Sequence, residues 1–298
     1  MLKINGLFPP LPTAFDANED ISVDRIKENI KWLCGFNLAG ILILGSNGEL
    51  VMLTEAEKEA VYAAAREAIP GNKLMIAGTA GQSTRETIRV GVLAAKKGAN
   101  AALVLNPSYY KGQMTKEALV RFYHDVAEAS EIPVIIYNMP ANSGVDMDAD
   151  TILSISLHPN IIGLKDSGGN LVKMGDIIRC AKPGFQVLAG SASFLLPALT
   201  MGAVGGILAL ANIAPQLCLD IYQSFLAGDI EKARSLQHTA IPVNTAVTRL
   251  WGVPALKAAM DYLGSYGGPV RRPLLPVGEE QKSAVIKLLT DNNIPKRK

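Results

Sequence analysis

Short apolar runs recur along the chain: GLFPPL (6–11), GILILG (40–45), KLMIAG (73–78), AALVLN (101–106), PVIIYN (133–138), IIGLKD (161–166), FQVLAG (185–190) and VGGILAL (204–210). Most are rich in Val and Ile, and most stop at Gly, Asn or Asp. Unbroken apolar runs of this length fit strands buried on both faces. Between them the polar positions recur with a helical period. SVDRIKENIKWLCGF opens on Ser22 as a candidate cap. TEAEKEAVYAAAREAI opens on Thr54 with Glu57 three positions on, STRETIRVGVLAAKKGA on Ser83 with Glu86, and TKEALVRFYHDVAEAS on Thr115. A Ser or Thr followed three residues later by Glu is the signature of a capping box. Eight strands alternating with helices predict an α/β fold, a (β/α)8 TIM barrel rather than an open sheet.

After the eighth run the pattern changes. APQLCLDIYQSFLAG, DIEKARSLQHTAIPVNTAV, VPALKAAMDYLG and GEEQKSAVIKLLTDN all read as helices, more than one barrel unit requires. The chain is therefore expected to divide into a catalytic barrel (1–222) and a C-terminal helical extension packed on it (223–298).

Composition narrows the partners. Of 298 residues, 49% are apolar and 19% charged, enough to build one large core. The net charge of +2, from 29 basic and 27 acidic side chains, is too balanced to steer nucleic acid or an anionic membrane. No apolar run reaches the ~20 residues that a spanning helix needs, and the opening MLKINGLFPPLPTAF is not expected to act as a secretory leader. The three cysteines, Cys34, Cys180 and Cys218, are widely spaced with no CxxC, as in a reducing compartment. A cytoplasmic protein is expected.

Barrel active sites form where strands end. Lys165 ends the sixth apolar run and Tyr137 the fifth, one βα unit apart, so their backbones should lie about 5 Å from each other. Lys165 reads either as a lysine that snorkels from the barrel mouth or pairs with Asp166, or as a nucleophile. In an apolar pocket a neutral amine attacks ketones. Asp166 should face the other way and serve the structure. A phenol beside such an amine can deliver and remove the protons that imine formation and aldol cleavage require. GSNGE (45–49) is either a plain turn or a cradle in which the Ser46 and Asn47 amides and the Ser46 hydroxyl hold a carboxylate. There is no phosphate-loop, dinucleotide or metal-ligating motif, and the three histidines fall in or near helical patterns.

With GSNGE, YNMP and GLKDSGGN in this order, the chain resembles the pyruvate-dependent Schiff-base aldolases, the family of dihydrodipicolinate synthase and N-acetylneuraminate lyase. The likeness runs from about residue 6 to 275. It implies that Lys165 forms an imine with pyruvate, that Tyr137 is the catalytic acid–base, and that Ser46 relays protons and binds the pyruvate carboxylate with Asn47. It implies also that Tyr110, with Tyr109 beside it as the other candidate, is inserted into the relay by a neighbouring subunit. Ile207 matches a position whose carbonyl faces the imine, and Gly190 a glycine that closely approaches the pocket.

The departures choose a branch. Synthases of this family carry an arginine five residues after the tyrosine, to hold a carboxylate; here that residue is Asn142. Neuraminate lyases lack the KDSGG tract. The strings MPANSG, VLAGSASFL and NTAVTRLWGVPALKAAMDYLGSYGGP most resemble 4-hydroxy-2-oxoglutarate aldolases, where Asn47 and Ser167 are candidates for contacting the rest of the substrate. The expected protein is a homo-oligomer, a tetramer built as a dimer of dimers, acting on a 2-oxo acid with no metal or organic cofactor. Tetrahydrodipicolinate synthesis, cleavage of a 2-keto-3-deoxy sugar acid, and a regulatory relative without turnover are the alternatives.

Overall fold

The computed structural model describes residues 1–297. The expected barrel is what forms. All eight apolar runs become strands: β1 (Gly6–Phe8), β2 (Gly40–Ile43), β3 (Leu74–Gly78), β4 (Ala101–Leu105), β5 (Val134–Asn138), β6 (Ile161–Asp166), β7 (Gln186–Ala189) and β8 (Gly205–Ile207). They pair in parallel in the order β1-β8-β7-β6-β5-β4-β3-β2. The remaining seam is closed by single bonds, Ala39 N to Leu7 O (3.0 Å), Leu42 N to Pro9 O (3.0 Å) and Leu11 N to Leu42 O (2.9 Å). Two prolines follow Phe8 and remove the donors that a longer first strand would need. This is why β1 is shorter than its apolar run.

Helices α1 (Val23–Cys34), α2 (Glu55–Ala68), α3 (Thr84–Lys96) and α4 (Lys116–Glu128) fill the first crossovers. Thr54 and Glu57 form the expected reciprocal capping box, whereas Ser22 stands at the N-cap of α1 without a side-chain bond. Four helices in the second half were not signalled by the sequence pattern: α5 (Pro140–Ser143), α6 (Ala149–Ser156), α7 (Leu171–Cys180) and α8 (Leu195–Thr200). α5 and α8 are under two turns long, which leaves no period to register; in α6 and α7 buried apolar residues do recur at helical spacing, Ile152 with Ile155 and Met174 with Ile177.

The core has two parts. One fills the barrel and includes Phe8, Leu42, Ile76, Leu103, Ile135 and Ile207. The other lies between the strands and the surrounding helices. Alternation along each strand divides its side chains between the two.

Four helices follow β8: α9 (Pro215–Leu226), which completes the eighth βα unit, and beyond it α10 (Ile230–Thr245), α11 (Gly252–Leu263) and α12 (Glu279–Asp291). The expected division at residue 222 falls inside α9, and the chain leaves helix only after Leu226. From α10, Gln237 accepts a bond from Leu196 N (2.8 Å) and donates to Ala192 O (2.7 Å), and Asn244 Nδ2 donates to the hydroxyls of Ser191 and Ser193 (2.8 Å each). These bonds tie the extension to the loop after β7. A wider turn, Ala246–Leu250, follows α10, in which Thr248 donates back to the Asn244 carbonyl (2.6 Å). No helix among the described residues is long and apolar enough to cross a membrane.

Arg271, beyond α11, pairs with Glu57 of α2 at 2.6 Å. Its hydrogen bond holds the Glu57 carboxyl down at about 2, from 4.5, although partial burial acts the other way. A carboxyl whose folded value is depressed stabilises the fold above its unfolded value and loses that contribution as pH falls through the folded one. The stability gap between the wild type and Glu57→Gln should therefore be constant above pH about 5 and close towards pH about 2. Urea midpoints taken across that range would show it; a gap unchanged by acid would contradict the pairing.

Candidate active site

β5 and β6 place the two central side chains. Tyr137 and Lys165 are register partners at the ends of these strands, and Lys165 Nζ sits 4.1 Å from the centre of the Tyr137 ring. An irregularity in β6 gives Lys165 its direction. Val134 pairs with Ile161, but Ile135 pairs with Gly163, so Ile162 is an extra residue in the ladder. Ile162 packs inside the barrel; without the bulge, strict alternation would send Leu164 inward and Lys165 outward. Gly163 permits the arrangement, since a Cβ there would stand 2.3 Å from the Gln186 carbonyl oxygen.

Lys165 is 3% exposed. The other buried lysines are paired: Lys173 with Asp146 and Asp166, and Lys257 with Glu49. Lys165 forms no salt bridge among the described residues. It is an amine set among aromatic and aliphatic groups, the environment in which a lysine serves as nucleophile rather than as a structural charge.

Asp166 faces outward, as expected, and joins a polar knot behind the site. It accepts from Asn138 Nδ2 (2.9 Å), Gly168 N (2.9 Å) and Gly169 N (3.3 Å), and lies 3.4 Å from Lys173 Nζ. Asn138 also donates to Asp146 (2.8 Å), which pairs with Lys173 at 2.5 Å. Burial pushes the Asp146 carboxyl up, but the bonds from Lys173 and Asn138 outweigh it and hold the group below its ordinary value. Because Asn138 follows Tyr137 and Asp166 follows Lys165, the knot clamps the two strand ends together. The sequence reading missed Asn138, Asp146 and Lys173; the signal was a second pair of polar residues ending the same two strands.

Ser46 arrives from the end of β2. Its hydroxyl lies 3.2 Å from that of Tyr137. The turn Ser46–Gly48 is bracketed by two non-glycine residues in left-handed backbone, Leu44 (φ 57°) and Glu49 (φ 55°), a conformation that costs ~1–3 kcal/mol at each. Gly78 makes room for it, since a Cβ there would lie 2.0 Å from the Leu44 carbonyl oxygen. From the other side, Thr13 donates to the Gly48 carbonyl (2.6 Å). Asn47 Nδ2 and Ser167 Oγ are buried with no hydrogen-bond partner among the described residues.

The other expected site residues divide. Ile207 packs inside the barrel in the same cluster as Tyr137. Gly190 donates to the Asp166 carbonyl at 2.7 Å, and a Cβ on it would stand 2.1 Å from Ser167 Oγ and 2.6 Å from that carbonyl. Gly190→Ala must push the Lys165–Ser167 backbone aside. It should cost ~1–3 kcal/mol in stability and lower turnover at least ~10-fold, measurable by thermal melting and steady-state kinetics. Wild-type turnover would mean that the approach does not matter. Asn142 is exposed on α5 and lines a cavity of about 190 Å³ together with Ser46, Tyr137, Gln82, Ser108 and Val51. Tyr110 is 71% exposed and packs edge-on against Tyr109 with ring centres 5.0 Å apart; one chain does not bring it to Ser46 or Tyr137. Gln82, unnoticed in the sequence, accepts from Ser108 N and Tyr109 N (3.0 Å each) and so holds the base of the tyrosine loop. Among the described residues no three His, Cys, Asp or Glu side chains are grouped to hold a metal.

Comparison with known proteins agrees with this geometry. The chain matches the Dihydrodipicolinate synthetase family over residues 3–292. It is 37% identical to a probable mitochondrial 4-hydroxy-2-oxoglutarate aldolase of Emericella nidulans, over 95% of this chain and 93% of that one. It is 35% identical to the L-threo-3-deoxy-hexylosonate aldolase of Hypocrea jecorina, over 94% and 93%. Its fold superposes on a dihydrodipicolinate synthase of Bacillus anthracis with a TM-score of 0.93 at 27% identity, covering 97% of this chain and 99% of that one. A (β/α)8 barrel with these strand-end residues and these relatives is a lyase, and the chain belongs to the dihydrodipicolinate synthetase family.

Proposed function

We propose that the protein is a lysine Schiff-base aldolase that cleaves a 4-hydroxy-2-oxo acid to pyruvate and an aldehyde. The first candidate substrate is 4-hydroxy-2-oxoglutarate, which would yield glyoxylate. The observation that carries this reading is the Lys165 amine: buried, without a salt bridge among the described residues, and 4.1 Å from the Tyr137 ring. Lys165 Nζ attacks C2 of the oxo acid. Tyr137 protonates the carbinolamine oxygen, water leaves and an iminium remains. The Tyr137 oxygen then takes the C4 hydroxyl proton, the C3–C4 electrons move into the iminium, and the aldehyde departs. Tyr137 returns the proton to C3 of the enamine, and water releases pyruvate and the free amine. Ser46 stands within reach of Tyr137 to pass protons and, with Asn47, to bind the pyruvate carboxylate. Asn47 and Ser167, each with a buried polar atom that has no partner among the described residues, are the candidates to contact the remainder of the substrate, and Gly190 keeps the close approach beside Ser167. Tyr110 would complete the relay from a second copy, which makes a homo-oligomer, a dimer of dimers, the working form.

Borohydride reduction with pyruvate, followed by peptide mapping, tests site and chemistry together. The expected adduct is on Lys165; an unmodified Lys165 peptide overturns the reading. A panel of 4-hydroxy-2-oxo acids then ranks the aldehyde partner. The neutral side chains of Asn142, Gln82 and Ser108 along the cavity favour a 2-keto-3-deoxy sugar acid as the second reading, since amides and hydroxyls pair with substrate hydroxyls. Asn142 stands where the resemblance puts the arginine of the synthases, and that departure ranks tetrahydrodipicolinate synthesis below the aldolase readings. Rapid condensation of pyruvate with aspartate semialdehyde would reverse that ranking.

A further inference from the structure

Glu49 takes no part in the chemistry above, yet it is 3% exposed and holds the left-handed backbone that ends the Ser46–Gly48 turn. Its amide donates to the Ser46 carbonyl at 3.1 Å. Its side chain turns away from the cavity into the C-terminal extension. Glu49 Oε1 lies 2.7 Å from Lys257 Nζ of α11, and Oε2 accepts the Arg271 amide at 2.9 Å. Lys257 is itself 1% exposed and donates to the Pro269 carbonyl at 2.7 Å. Burial lowers its pKa, and Glu49 opposes that. The Lys257 ammonium and the Arg271 guanidinium lie 4.5 and 4.4 Å from the Phe15 ring centre. The chain thus buries a charge on a residue whose backbone is already costly, and spends a second buried charge to hold it.

Stability does not account for this, because a buried ion pair contributes little net against apolar groups of the same size. Position does. The turn has two strained ends; at Leu44 the close approach of Gly78 fixes the backbone, and at Glu49 the ion pair is the corresponding hold. We infer that the Glu49–Lys257 pair is a positioning device: through it the C-terminal extension fixes the turn so that the Ser46 hydroxyl meets Tyr137. Lys257 and Glu49 are positioning residues acting through Ser46, and the inference rests on the imine chemistry proposed above.

The test is a cycle of variants read by solvent deuterium exchange into the pyruvate methyl group, which needs the imine and enamine but no aldehyde. Glu49→Gln/Lys257→Met keeps an acceptor for the Arg271 amide and leaves no unpaired charge. It should melt close to the wild type while exchange falls ~10–100-fold. Added to Ser46→Ala, the same pair of changes should cost nothing further, because the group they position is gone. Wild-type exchange in the double variant, or an equal loss in the Ser46→Ala background, overturns the inference. Should the double variant not fold, Glu49→Gln with and without Ser46→Ala is compared in the same way, and additive losses again reject it. Absence of both exchange and borohydride adduct in the wild type would instead remove the imine reading, and this inference with it.

Discussion

Lys165→Met should leave a folded barrel that neither forms a borohydride-stable adduct with pyruvate nor turns over, with activity reduced by at least ~10³-fold. Methionine fills nearly the same volume and brings no charge. Lys165 has no salt-bridge partner among the described residues to orphan, so the substitution relieves the cost of a buried amine rather than creating one. Thermal stability should hold or rise. The paired lysines give the contrast: Lys173→Met strands Asp146 and Asp166, and loss of one member of a buried pair costs ~3–5 kcal/mol. Intact-mass analysis after reduction, with melting curves, separates the cases. An adduct that survives in Lys165→Met would place the nucleophile elsewhere.

Tyr137→Phe should lower turnover by ~10²–10³-fold while pyruvate is still trapped, only more slowly. The range is that of a lost general acid–base group. The ring stays over Lys165 and in the barrel core, and the one contact removed is the 3.2 Å pair with Ser46, so stability should change by about 1 kcal/mol or less. The trapping time course is the discriminating measurement, because in the proposed mechanism Tyr137 acts on the carbinolamine before it acts on the C–C bond. An unchanged trapping rate would take the tyrosine out of imine formation.

The fold was legible because strands buried on both faces cannot disguise themselves: eight apolar runs appeared as eight strands. The pairing of Lys165 with Tyr137 followed from one βα spacing between strand ends. What remained hidden has physical reasons. The Glu49 bond to Arg271 spans 222 positions, and local pattern carries no trace of a partner that distant. The α8 helix is too short to show a period and contains Pro197. Asn138 and Asp166 looked like strand terminators, and only the register shows that they meet. Tyr110 was legible as a residue, but within one chain it is exposed and apart from Ser46 and Tyr137.

The extra residue in β6 has a consequence for counting. It sets the parity of everything downstream in that strand. If Ile162 instead paired with Ile135 and the irregularity were lost, eight strands would remain in outline but the rim would trade faces, turning the Asp166 carboxylate inward and Lys165 outward. Removing Ile162 altogether would leave Gly163 paired with Ile135 and Lys165 still facing inward. A chain whose sixth strand paired without that irregularity would keep every motif letter in order and turn the proposed nucleophile away from the barrel, so the letters GLKDS do not by themselves place the amine.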